Sequence, residues 1–135
     1  MEAMPMNSSI HSPQIRVAIV DDKAIFRQSL RRLVEKEPDL GVVAEADTGP
    51  AGLKEVEEQK PDVILMDSNE PFTDGLETTQ KIISTFPDAR ILILSMDSKS
   101  TTAASSCQVG ACFPLCKNCS ANEILAAIRE GYHDK

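Results

Sequence analysis

Residues 61–75 read PDVILMDSNEPFTDG, and the fold turns on how this stretch is read. Val63, Ile64, Leu65 and Met66 are four apolar residues in a row. Such a run suits a strand covered on both faces rather than one alternately wet and dry. It ends at Asp67, after which Ser68, Asn69, Pro71, Thr73, Asp74 and Gly75 have the composition of a loop. Asp67 therefore stands where a buried strand emerges, the place at which open α/β sheets hold their ligands. Aspartate also starts turns in its own right, so the meaning of Asp67 depends on what else reaches the same edge.

Upstream, Arg16–Val20 forms a first apolar strand closed by Asp21 and Asp22. Ile25, Phe26, Leu30, Leu33 and Val34 follow at helical spacing, with Ser29 on the same side, and Pro38 and Gly41 end that helix. Val42–Ala46 reads as a second strand, and Pro50 opens a second helix with Leu53 and Val56 as its apolar face. Downstream of the loop, Leu76, Thr79, Ile82, Ile83 and Phe86 trace a third helix, which Pro87 breaks. Ile91–Leu94 is a fourth strand ending at Ser95, and the stretch from Lys99 to Val109 is helical with few large apolar groups. Ala111–Leu115 is a fifth strand leading to Lys117. Ser120 to Glu123 has capping-box spacing and starts a helix with Ala121, Ile124, Leu125 and Ile128 inward and Gly131 as its C-cap.

Strands and helices thus alternate five times. Buried strands separated by amphipathic helices predict an α/β fold, a doubly wound five-stranded parallel sheet of (βα)5 type with the flavodoxin-like order 2-1-3-4-5. In such a sheet all carboxyl ends lie along one edge. Asp21, Asp22, Asp67, Ser95 and Lys117 would gather there.

At 135 residues the chain is long enough for one domain that buries roughly two-thirds of its unfolded surface. The apolar fraction is 41%, the charged fraction 26% and the net charge −7, with no Trp and one Tyr. This balance argues against nucleic-acid binding by the chain alone, which uses a basic face with stacking groups. No run approaches a membrane span. The opening MEAMPMNSSIHSPQ has neither a basic region nor an apolar core of a secretory signal and reads as a flexible leader, residues 1–14. A cytoplasmic location is expected, with reduced cysteines.

Three carboxylates converging on one pocket repel one another unless a cation lies between them. An all-oxygen set suits a hard ion, and Mg²⁺ takes one or two carboxylates with waters and phosphate oxygens. A lysine supplies a mobile positive charge for an anionic group, and a serine one hydroxyl donor. Together these are the requirements for phosphoryl transfer to a carboxylate. Each residue has an ordinary role as well: Asp21 and Asp22 can cap the first helix, Ser95 can end a strand, and Lys117 can sit in solvent.

The pieces Val20-Asp21-Asp22, Leu65-Met66-Asp67, Pro71 with Asp74-Gly75, Leu94-Ser95 and the single Lys117 resemble the receiver domain of bacterial two-component response regulators, of CheY-like fold. The likeness covers nearly all of Ile15 to Gly131. The segments IVDD, FRQSLRRLVEKEPDL, VVAEADTG, PDVILMD, FPDARILILSM and EILAAIREG are similar to the NarL/FixJ type. The resemblance implies a receiver over residues 15–131, with residues 132–135 as a tail or the start of a linker. It implies that Asp67 accepts phosphate from a sensor histidine kinase and that Mg²⁺ is held by Asp22, Asp67 and the Asn69 backbone carbonyl, with Asp21 acting through water. Lys117 would pair with the phosphoryl group and Ser95 would swing to hydrogen-bond it, shifting the fourth strand's loop and the next helix. Asn69 and Asp97 flank that site and would influence the lifetime of the acyl phosphate. It further implies a phosphoacceptor rather than an enzyme, a homodimer on phosphorylation, and transcriptional control through a helix-turn-helix DNA-binding domain that this chain lacks.

The chain departs from that pattern in places. Asn118 rather than Pro follows Lys117. Pro114 stands three positions before the lysine, where an aromatic residue is usual, and Phe113 precedes it. Glu70 occupies a position where Met is common. Cys107, Cys112, Cys116 and Cys119 cluster in sequence, and the last two have C-x-x-C spacing. They read either as a metal or redox site or as small apolar fillers. Arg27, Arg31 and Arg32 on the first helix read either as a kinase-docking face or as a solvated one. Rival functions are weaker on the residues. An aspartyl-phosphate phosphatase of the haloacid dehalogenase type needs a second Asp where Asn69 stands, and a dinucleotide domain needs a glycine-rich turn where Asp21-Asp22-Lys23 stands. A scaffold acting by protein contacts alone leaves the acidic, hydroxyl and lysine set unexplained.

Overall fold

β1 (Ile15–Val20), buried at every position but Arg16, is an interior strand of a parallel sheet. β2 (Leu40–Ala46) pairs on one side and β3 (Val63–Asp67) on the other. β4 (Arg90–Ser95) adds to β3, and β5 (Cys112–Cys116) adds to β4, giving the order β2-β1-β3-β4-β5. The computed structural model describes residues 14–67, 80–95, 112–116 and 120–133. Sequence expectations for Asn69, Glu70, Pro71, Asp74, Gly75, Leu76, Thr79, Asp97, Lys99–Val109, Cys107, Lys117, Asn118 and Cys119 lie outside the described residues.

Side chains on successive strand residues leave on opposite faces, and the core splits accordingly. Ile15, Val17, Ile19, Val63, Leu65, Leu92 and Leu94 face α1 (Ala24–Glu35) and the C-terminal helix (Ala121–His133). Ala18, Val20, Ile64, Met66, Ile91 and Ile93 face α2 (Gly49–Gln59) and helical residues 80–85. Helices therefore cover both faces, which is why β3 is buried at all five positions and reads as an unbroken apolar run. Burial of each large aliphatic side chain contributes about 1.5–3 kcal/mol.

The helices seat closely where side chains are small. A Cβ on Gly52 in α2 would stand 2.7 Å from Val20 Cγ2, so α2 approaches β1 more closely than any larger residue permits. The capping box forms as its spacing predicts: the Glu123 amide donates to Ser120 Oγ at 3.1 Å, and the Ser120 amide donates to Glu123 Oε1 at 3.0 Å.

Five sequence expectations need correction. Ile25 does not join the inner face of α1; it is 82% exposed, because Phe26, Leu30, Leu33 and Val34 complete the stripe that meets the sheet. Ser29 is likewise outward, its hydroxyl donating to the Ile25 carbonyl at 3.0 Å. Gly41 does not precede the second strand but lies within it, since buried Leu40 already pairs with Ile15. Ala121 is exposed, and Gly131 is not a C-cap. The helix continues to His133, with Gly131 buried over Arg90 and Tyr132 packed on the core.

Candidate functional site: an acidic cleft at one sheet edge

The register of the sheet brings the acidic residues together. Val20 pairs with Met66, so Asp21 and Asp67, one residue further along β1 and β3, emerge side by side at the carboxyl edge. Asp67 is also in register with Leu94, which places Ser95 one step beyond it on the adjoining strand. Ser95 in turn pairs with Cys116, the residue before Lys117. Carboxylate oxygens of Asp21, Asp22 and Asp67 lie within 4.8 Å of one another. Asp21 and Asp67 are each 1% exposed, whereas the Asp22 side chain is 47% exposed and forms the open side of the cleft.

Asp21 is fixed through its backbone and its side chain alike. Its amide donates to the Ala46 carbonyl at 3.0 Å, and its own carbonyl accepts from Arg27 Nη1 at 2.6 Å. Its Oδ1 accepts the Lys23 amide at 2.8 Å, closing a tight turn at the end of β1. Helix α1 begins only after this turn, and its N-cap is Lys23, which makes no side-chain cap. The helix-capping role open to Asp21 and Asp22 in the sequence is thus not the one they take.

Arg27 is a brace rather than a free surface charge. Besides the Asp21 carbonyl it meets Glu45 Oε1 on β2 at 3.5 Å, and Arg31 pairs with both Glu45 and Glu35. The half-buried Glu45 thereby ties α1 to β2 beside the cleft. Sequence reading placed Arg27 on a helix face but missed the pairing, because nothing local marks Glu45 as its partner.

A second feature missed from sequence is Lys23. Its ammonium stands 3.5 Å from Asp22 Oδ1. Asp22 and then Asp67, with a smaller contribution from Asp21, hold its pKa above the ordinary lysine value. The cleft is strongly negative, and this side chain senses it.

The donor set fits a hard divalent cation. It is all oxygen, two of its members are buried where mutual repulsion is poorly screened, and one is open to solvent. Oxygens within 4.8 Å of one another are close enough for one such ion to be held among them.

Residues 17–129 match the response regulator receiver domain family. This chain is a member of that family. The transcriptional regulatory protein DegU of Brevibacillus brevis is 33% identical over 124 residues, which are 92% of this chain and 52% of DegU. A LuxR-family two-component response regulator from Aurantimonas sp. superposes with a TM-score of 0.82 at 33% identity, over 90% of this chain and 87% of that one. The signal receiver domain of NarL from Mycobacterium tuberculosis gives 0.81 at 28% identity, over 90% and 98%. The receiver chain spans about half the length of the curated relatives it matches. Among its described residues, no helix is long and apolar enough to cross a membrane.

Proposed function

We propose that this receiver domain accepts a phosphoryl group on Asp67 from the phosphohistidine of a sensor histidine kinase. The observation that carries the reading is the convergence of Asp21, Asp22 and Asp67 at the carboxyl edge of the sheet, in a chain of the receiver family. A carboxylate oxygen of Asp67 attacks the phosphorus, the phosphorus–nitrogen bond of the donor breaks, and the imidazole leaves with its electron pair and takes up a proton. Asp22, Asp67 and the Asn69 carbonyl would hold Mg²⁺, with Asp21 assisting through a water. The ion, when bound, neutralises charge on the phosphoryl oxygens. Lys117 pairs with the phosphorylated side chain, and Ser95 donates a hydrogen bond to it.

The same reading assigns the wider architecture. Residues 1–14 are a leader, and the receiver runs from residue 15 to 131 with its last helix continuing to His133. The receiver is a complete (βα)5 unit of CheY-like fold. The domain works in the cytoplasm and acts as a switch rather than a turnover enzyme. Phosphorylation promotes a homodimer, and the output is transcription, through a helix-turn-helix DNA-binding domain outside this chain. Support for the output comes from relatives about twice as long that are named as transcriptional regulators.

Intact-mass measurement after incubation with Mg²⁺ and acetyl phosphate tests the proposal. The parent chain is expected to gain one phosphoryl group, and Asp67→Ala none. No gain on the parent, or equal gain on both, overturns it.

A further inference from the structure

We propose that the Lys23 ammonium is a tethered counter-cation of the acidic cleft, which a divalent ion has to displace, so that Lys23 sets how much magnesium the domain requires. The inference rests on the reading of the cleft given above and adds a residue to it. Lys23 is bound to the cleft twice over: its amide holds Asp21 Oδ1 at 2.8 Å, and its ammonium stands 3.5 Å from Asp22 Oδ1. The extended backbone of Lys23 at the N-cap of α1 turns the side chain back toward the carboxylates instead of along the helix.

The position of the pair decides its consequence. Asp22 is the open member of the trio, the first carboxylate that an ion arriving from solvent meets. The Lys23 side chain is 57% exposed and its partner 47% exposed. An ion pair this wet contributes little to stability and breaks readily, so it screens the carboxylates without locking them. A unit positive charge remaining about 6 Å from a bound dication in a water-like medium weakens binding by about tenfold at low salt. Added salt reduces that penalty.

Magnesium affinities of the purified chain, measured by calorimetric titration for the parent, Lys23→Met and Lys23→Arg, test the inference. Lys23→Met is expected to bind magnesium about five- to tenfold more tightly than the parent, with the gap narrowing as salt rises, while Lys23→Arg stays near the parent. A Lys23→Met variant that binds no more tightly than a magnesium-responsive parent overturns the role of Lys23 and leaves the cleft reading standing. A parent chain that binds no magnesium at all overturns both.

Discussion

Replacing Asp67 with Asn removes one of three negative charges whose oxygens lie within 4.8 Å. Asp21 and Asp67 are both buried, so their repulsion at an effective dielectric of about 20 is about 3.5 kcal/mol. Asp22 is half in water, and its repulsion with Asp67 is nearer about 0.9 kcal/mol. Favourable interactions of the Asp67 charge, with Lys23 among them, offset part of that total. A net gain of about 2 kcal/mol in the metal-free chain follows, or roughly 6–8 °C in Tm for a domain of this size. Magnesium reverses the comparison. A ligand at a hundredfold excess over its Kd adds about 2.7 kcal/mol to the parent, and Asp67→Asn, short of a ligand, loses most of that response. Thermal unfolding of both chains, first with a chelator and then across a magnesium series, reads both effects. An Asn variant that melts no higher than the parent in chelator and responds equally to magnesium would refute the reasoning.

The remaining predictions concern the framework that holds the cleft. Gly52→Ala forces a methyl against the stiff side chain of Val20, and the urea midpoint should fall by the equivalent of about 1–3 kcal/mol; an unchanged midpoint would mean that α2 is not seated so closely. Ile25→Ser should alter stability by less than about 0.5 kcal/mol, because the side chain is in solvent. A loss of several times that size would place Ile25 in the core after all. Arg129 forks onto Asp39 with two hydrogen bonds of 2.9 Å and reaches Glu37 at 2.7 Å, joining the C-terminal helix to the turn before β2. This pairing holds the Asp39 pKa below its usual 3.8, so its contribution is complete above that value and lost as pH falls through the lower folded-state value. With the pair half in solvent the effect is about 1 kcal/mol. The parent should therefore lose stability more steeply than Asp39→Asn below about pH 4, as followed by circular dichroism; parallel acid curves would contradict the pairing.

The sheet was legible because its strands are buried on both faces. VILMD, and RILILS after its opening Arg90, have no polar residue before their carboxyl ends, so each run marks both a strand and the point where it surfaces. That is why the meeting of Asp21, Asp22 and Asp67 could be anticipated from residues dozens of positions apart. The helices were less legible. Ile25 and Phe26 are neighbours that cannot both face the sheet, and periodicity alone does not say which does; packing against the core cluster on that face selects Phe26. Gly131 resembled a stop signal, yet the close passage of the helix over Arg90 gives a small residue another use. The Arg27–Glu45 brace and the Arg129 fork depend on which surfaces fold together, and no local pattern encodes that. Asn69 and Lys117, both assigned to the site from sequence, fall outside the described residues.

The most direct test of the central claim is to locate the phosphoryl group itself. Borohydride cleaves an aspartyl phosphate reductively and leaves homoserine at the modified position, which peptide mass spectrometry then reads. After magnesium and acetyl phosphate, the account predicts that conversion at position 67 alone. Conversion at position 21 or 22, or phosphate retained on a serine with position 67 untouched, would contradict it.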